Sequence, residues 1–123
     1  MASGSTRGKS GSLKPTRWKT KNRGKLKLTT ACQKGRAEAC NNLGVAYDKG
    51  TGVTQDYAKA VELYRKACDG QEAGGCFNLG VTYATGIGVR QSDDEARKFL
   101  GKACDLKSES GCTQYARLKT EKK

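Results

Sequence analysis

Along Cys40–Val53, CNNLGVAYDKGTGV, apolar and aromatic positions fall at Leu43, Val45, Ala46 and Tyr47, near a helical period, and the pattern stops at Gly50 and Gly52. Gly44 sits inside the run, where glycine costs roughly 1 kcal/mol against alanine. The pattern returns 36 residues on as CFNLGVTYATGIGV, Cys76–Val89. Laid over each other, residues 31–66 and 67–102 agree at Cys32/Cys68, Cys40/Cys76, Asn42/Asn78, Leu43/Leu79, Gly44/Gly80, Tyr47/Tyr83 and Gly50/Gly86, among others. A third copy begins at Ala103 with Cys104, Asp105, Gly111 and Cys112. Self-similarity at a period of roughly 20–50 residues is the signature of a stacked solenoid.

Each unit reads as a pair of helices. Helix A of the first full unit is expected at about 37–48, a loop at 49–56, and helix B at 57–68 with Ala60, Val61, Tyr64 and Ala67 along one face. Asp56 stands where a carboxylate can accept from the free N–H groups of helix B. The second unit repeats this at 73–84, 85–92 and 93–104, with Ser92 in the place of Asp56 and Asp93, Asp94 and Glu95 at the positive helix start. A last helix is expected at about 109–119, and residues 25–32 read as a degenerate end of a preceding helix B. The fold class is therefore all-α: an α/α solenoid of about two and a half 36-residue repeats over residues 25–118, followed by a charged tail, 119–123. Gly44 and Gly80 are expected to let helix A lie close to its neighbours. Gly50, Gly52, Gly86 and Gly88 are expected to supply positive φ in the loops. The chain reads as a piece of a longer array, since neither end shows a polar capping repeat.

Charge divides the chain unevenly. The net charge is +12, but residues 1–30 hold nine Lys/Arg and no acid, which leaves fifteen Lys/Arg against twelve Asp/Glu, or +3, for residues 31–123. Residues 1–24 have no periodic apolar positions and are expected to be disordered. They are the only segment basic enough to attract nucleic acid or an anionic surface, with Trp18 between Arg17 and Lys19 as a stacking residue. The same segment also reads as a cloning scar or non-native leader, or as a transit segment. No apolar run approaches the roughly 20 residues of a membrane helix, and no secretory h-region is visible.

The six cysteines follow the repeat. Cys32/Cys40, Cys68/Cys76 and Cys104/Cys112 each enclose seven residues. Six cysteines allow about 15 pairings, and the simplest one is the same bridge three times. Such bridges suit a small solenoid with little core. Two other readings stay open: a zinc site, for which the spacing is long and histidine is lacking, and buried thiols. Disulfides imply an oxidising compartment.

The run N-L-G-x-x-Y-x-x-G-x-G-V followed by D-x-x-K-A-x-x-x-Y-x-K-A resembles the Sel1-like repeat, an α/α relative of the tetratricopeptide repeat. The first unit carries Asn42-Leu43-Gly44, Tyr47, Gly50, Gly52-Val53, Asp56, Lys59-Ala60, Tyr64 and Lys66-Ala67. The second carries Asn78-Leu79-Gly80, Tyr83, Gly86, Gly88-Val89, Ala96 and Lys102-Ala103, and departs at Ser92, Glu95 and Leu100. Cys40 and Cys76 stand where the tetratricopeptide signature has tryptophan, which is similar to the Helicobacter cysteine-rich proteins, a secreted subfamily. The resemblance implies a secreted or periplasmic protein, with the mitochondrial intermembrane space as the alternative. It also implies penicillin binding or weak β-lactamase activity as an alternative function.

The residues themselves supply no chemistry for that alternative. Histidine is absent, so Ser–His and Cys–His pairs are excluded, and no S-x-x-K occurs. Gly86-x-Gly88 lacks the rest of a phosphate loop. No cofactor or metal is expected. The function expected instead is a protein- or peptide-binding scaffold, monomeric, which uses the concave face lined by the A helices. That face is expected to carry Asn41, Asn42, Val45 and Asp48, then Phe77, Asn78 and Val81, then Thr113, Gln114 and Arg117. By resemblance, Asn42 and Asn78 hold a peptide backbone or terminal carboxylate, with Gln114 as an amide substitute. Phe77 is an anchor if it faces the groove and ordinary core if it turns inward. Packing does not call for Asn42 or Val45.

Overall fold

A computed structural model describes residues 27–121. The basic segment 1–24 and residues 122–123 of the charged tail lie outside the described residues. Six helices and no strand are present among the described residues: α1 at 27–33, α2 Ala37–Lys49, α3 Tyr57–Asp69, α4 Ala73–Thr85, α5 Asp93–Asp105 and α6 Glu109–Glu121. Helices α2, α4 and α6 are the A helices; α3 and α5 are the B helices.

The helix ends follow from local chemistry. The Asp56 side chain accepts from the Lys59 backbone N–H at 3.1 Å, and Ser92 Oγ accepts from that of Glu95 at 3.2 Å, so each B helix starts on a side-chain cap. At the far end of each full A helix, Gly50 (φ 71°) and Gly86 (φ 74°) take the left-handed conformation, which only glycine adopts without strain. The B-to-A turns also need positive φ, at Gly35 (92°), Gln71 (69°) and Lys107 (78°). The last two are not glycine, and nothing in the sequence marked them.

From α2 onward packing joins each helix to the next, and α4 also touches α2 on one side and α6 on the other. Gly44 and Gly80 are the close-approach points. A Cβ at Gly44 would lie 2.8 Å from the Tyr64 ring, and one at Gly80 would lie 2.6 Å from Leu100 Cγ. The core is a spine of buried side chains: one group centres on Cys40, Leu43, Leu63 and Ala67, the other on Val61, Tyr64, Leu79 and Phe99. Ala60, Val61, Tyr64 and Ala67 are all buried, as the periodicity of α3 predicts.

Disulfides Cys32–Cys40, Cys68–Cys76 and Cys104–Cys112 tie α1 to α2, α3 to α4 and α5 to α6, with Cα–Cα distances of 4.6, 4.5 and 4.4 Å. The same bridge is made three times and no free cysteine remains, which overturns the zinc and buried-thiol readings. Three bridges in so small a fold fit an oxidising compartment. No helix among the described residues is long and apolar enough to cross a membrane.

Candidate protein-interaction face

The central A helix differs in kind from the B helices that flank it. The B helix α3 carries Lys59, Glu62, Arg65, Lys66 and Asp69, and α5 is as heavily charged. The central A helix α4, AGGCFNLGVTYAT, has no charged residue. Its buried side holds Gly75, Cys76, Leu79 and Gly80, and Phe77, Asn78, Val81 and Ala84 are half-exposed.

The ten residues expected to meet a partner fall into four groups. Asn42, Thr113 and Arg117 are exposed. Asn41, Asn78 and Gln114 are half-buried and engaged: Asn78 Nδ2 donates to Asn41 Oδ1 at 2.8 Å across the α2–α4 seam, and Arg117 Nη1 reaches Gln114 Oε1 at a long 3.5 Å. Repeat alignment pairs Asn42 with Asn78, but space pairs Asn78 with Asn41. Val45 and Phe77 are half-buried and packed against the core. Packing therefore does use Val45, contrary to expectation, and Phe77 is both core and surface. Asp48 and Val81 meet in a crevice between the first two repeats.

That crevice is a cavity of about 140 Å³ between α2, α3, α4 and the loop after α4. Tyr64 Oη donates to Asp48 Oδ2 at 3.0 Å. Burial first, then the hydrogen bond to Asp48 and its charge, push the Tyr64 phenol well above its ordinary range, so it stays a donor at physiological pH. Tyr57 and Ile87, the two large apolar side chains exposed among the described residues, also line it. Sequence reasoning missed Tyr57, Tyr64, Thr82, Thr85 and Ile87 as members of one site. The available signal was Ile87, an apolar residue held between two loop glycines.

The Sel1 repeat model matches residues 37–71 and 73–108, which are α2 with α3 and α4 with α5. The chain belongs to the Sel1 repeat family. Sel1 repeats generally serve as scaffolds for protein–protein interaction, and this chain is such a helical repeat scaffold. Among solved structures, Helicobacter pylori cysteine rich protein B (hcpB) is 36% identical with a TM-score of 0.70, over 72% of this chain and 66% of that one. A Sel1 repeat protein from Oxalobacter formigenes is 27% identical with a TM-score of 0.72, over 77% of this chain and 39% of the other. The c5321 protein, a protective antigen present in uropathogenic Escherichia coli strains, is 32% identical with a TM-score of 0.70, over 72% of this chain and 19% of that one. The Sel1 chain thus spans less than two thirds of these relatives. No curated protein sequence matches it.

Proposed function

We propose that this Sel1 repeat protein grips an extended segment of a protein partner along the face formed by α2, α4 and α6. The carrying observation is the uncharged α4: a helix that only met water would carry charge on its outer side, as α3 and α5 do. Contact between successive A helices supports the same reading. Helix α4 touches both α2 and α6, and no comparable contact joins α3 to α5 among the described residues, which supports an array bent with its A helices inside. On this reading Phe77 offers an apolar anchor, and Asn42, Thr113 and Arg117 offer polar rim contacts. The partner is met by a monomer in an exported or periplasmic setting, where the three bridges persist.

A photocrosslinking amino acid placed at exposed Asn42 or Thr113 tests the face, with exposed Glu62 on the B-helix side as the control. A defined adduct from Asn42 and Thr113 and none from Glu62 is expected. Adducts of equal yield from all three positions would refute the A-helix face.

A further inference from the structure

The crevice between the first two repeats has a chemistry that the rest of the face lacks. Its volume of about 140 Å³ suits one side chain. It is well short of the roughly 300–1,000 Å³ of small-molecule sites. Its inner polar lining offers acceptors, while the Tyr57 hydroxyl at the mouth accepts from Gln55 Nε2 at 3.1 Å. Thr82 Oγ1 spends its proton on the Asn78 carbonyl at 2.7 Å, Thr85 Oγ1 on that of Val81 at 3.0 Å, and Tyr64 Oη on Asp48 Oδ2. What remains open to a guest is the other Asp48 oxygen, which has no hydrogen-bond or cationic partner among the described residues, and the lone pairs of two hydroxyls. At the mouth stand Tyr57 and Ile87, 39% and 47% exposed.

Helix ends add to this bias. Asp48 lies in the last turn of α2 and Thr85 ends α4, so two negative helix termini border the crevice. The opposing positive start of α3 is already offset by the Asp56 cap. The nearby cation Lys59 is held over the Tyr47 ring, 5.7 Å from its centroid.

The protein contains its own control. One repeat on, Asp48 is replaced by Ala84, Tyr64 by Leu100, and Val61, a wall of the first crevice, by Arg97. The second hairpin folds in the same way without the Asp–Tyr pair, so the pair is not a requirement of the fold.

We propose that this crevice is a socket for one lysine side chain of a protein partner, with the ammonium against Asp48 and the stem between Tyr57 and Ile87. An ammonium is all donor and compact, which answers an inner lining of acceptors of this size. The aliphatic stem covers the two exposed apolar side chains at the mouth. The inference rests on the reading of the A-helix side as a partner surface and names the chemistry of one contact on it.

The test is an amide NMR titration of the full chain with an acetylated and amidated Gly-Lys-Gly peptide. Saturable shifts centred on Asp48, Tyr57, Thr82, Thr85 and Ile87 are expected, with a dissociation constant on the order of millimolar for a single side chain. Asp48→Asn leaves an oxygen for Tyr64 and removes the charge. Ile87→Lys sets a cation at the mouth and disturbs nothing buried. Each is expected to weaken the peptide by roughly tenfold or more, Asp48→Asn through the loss of one charge-assisted hydrogen bond and Ile87→Lys through like-charge repulsion, and the Nε-acetyl-lysine peptide is expected not to saturate.

Equal response to the acetylated peptide, or an undiminished response in both variants, overturns the socket. So does movement of the amides of residues 1–26 when Asp48→Asn is made without peptide, because the occupant is then the chain's own basic segment. The photocrosslinking at Asn42 and Thr113 reads independently of Asp48. Intact crosslinking with no lysine response removes the socket alone, and lost crosslinking with an intact lysine response removes the wider face alone.

Discussion

Glycine-to-alanine substitution at two helical positions is expected to change stability in opposite directions. At Gly80 a Cβ would lie 2.6 Å from Leu100 Cγ, 2.9 Å from Leu100 Cδ2 and 3.1 Å from the Leu100 backbone nitrogen. Leu100 is 1% exposed, so neither its side chain nor its backbone has room to withdraw. Overpacking of this kind, with the strain of forcing Leu100 off its rotamer included, costs about 1–3 kcal/mol. The gain in helix propensity returns only about 1 kcal/mol. Gly80→Ala should therefore destabilise by up to about 2 kcal/mol. At Gly101 the added Cβ meets only the Tyr115 ring, at 3.2 and 3.3 Å, and Tyr115 is half-buried at the last helix pair, where it can yield slightly. The first unit already carries Arg65 at the corresponding place. Gly101→Ala should then stabilise by about 0.5–1 kcal/mol, most of the propensity gain. Denaturant unfolding with the disulfides intact measures both, and in a domain of this size each kcal/mol moves the melting temperature by roughly 4–8 °C. A stabilising Gly80→Ala would refute the close-packing account of the A helix. A Gly101→Ala loss as large as that of Gly80 would show that space at Leu100 is not what separates the two sites.

Replacing Cys68 and Cys76 together by serine opens a bridge with a sequence separation of 8 and should cost about 2.5 kcal/mol in the loop-entropy account, read by calorimetry; an unchanged melting temperature would refute a stabilising role for the bridge. Tyr64 has its phenol pKa raised in the folded state, so its contribution is full below the unfolded-state value of about 10 and is lost as pH rises through the folded value. Wild type should therefore lose stability relative to Tyr64→Phe as pH climbs above about 10, and parallel pH curves would exclude the Asp48–Tyr64 coupling. A chromogenic cephalosporin should be hydrolysed no faster than by a matched helical repeat control, and a clear excess rate would restore the β-lactamase alternative that the resemblance implies.

Helix placement was legible because the signals that set it are local. Asp56 and Ser92 cap, Gly50 and Gly86 terminate, and the 36-residue offset transfers each boundary to the next unit. The disulfide pairing was legible for the same reason, as one short-range bridge written three times. The candidate face was only partly so. Which side chain of one A helix meets which of the next depends on how far each repeat rotates against its neighbour, and a sequence period carries no angle. Hence Asn78 meets Asn41 and not its repeat counterpart, and Val45 is drawn against the core. The Asp48 crevice was invisible because its walls come from two units: Tyr64 of the first and Thr82 of the second line it together, and no single repeat contains both. The left-handed turns at Gln71 and Lys107 were hidden because the one glycine at that place, Gly35, lies in the degenerate first unit.

The bridges are out of step with the repeats they hold. Family repeats begin at an A helix and end after a B helix, whereas each disulfide joins the end of a B-type helix to the A helix that follows. A proteolytic cut in the turn at 70–72 would leave both pieces tied through Cys68–Cys76, so the nick would be silent. A cut in the loops at 50–56 or 86–92 would free one end of the array, because no covalent bond spans them. Resistance to digestion thus rests on those two A-to-B loops. Their bound glycines and side-chain caps act there as the second line of protection, where the disulfides do not reach.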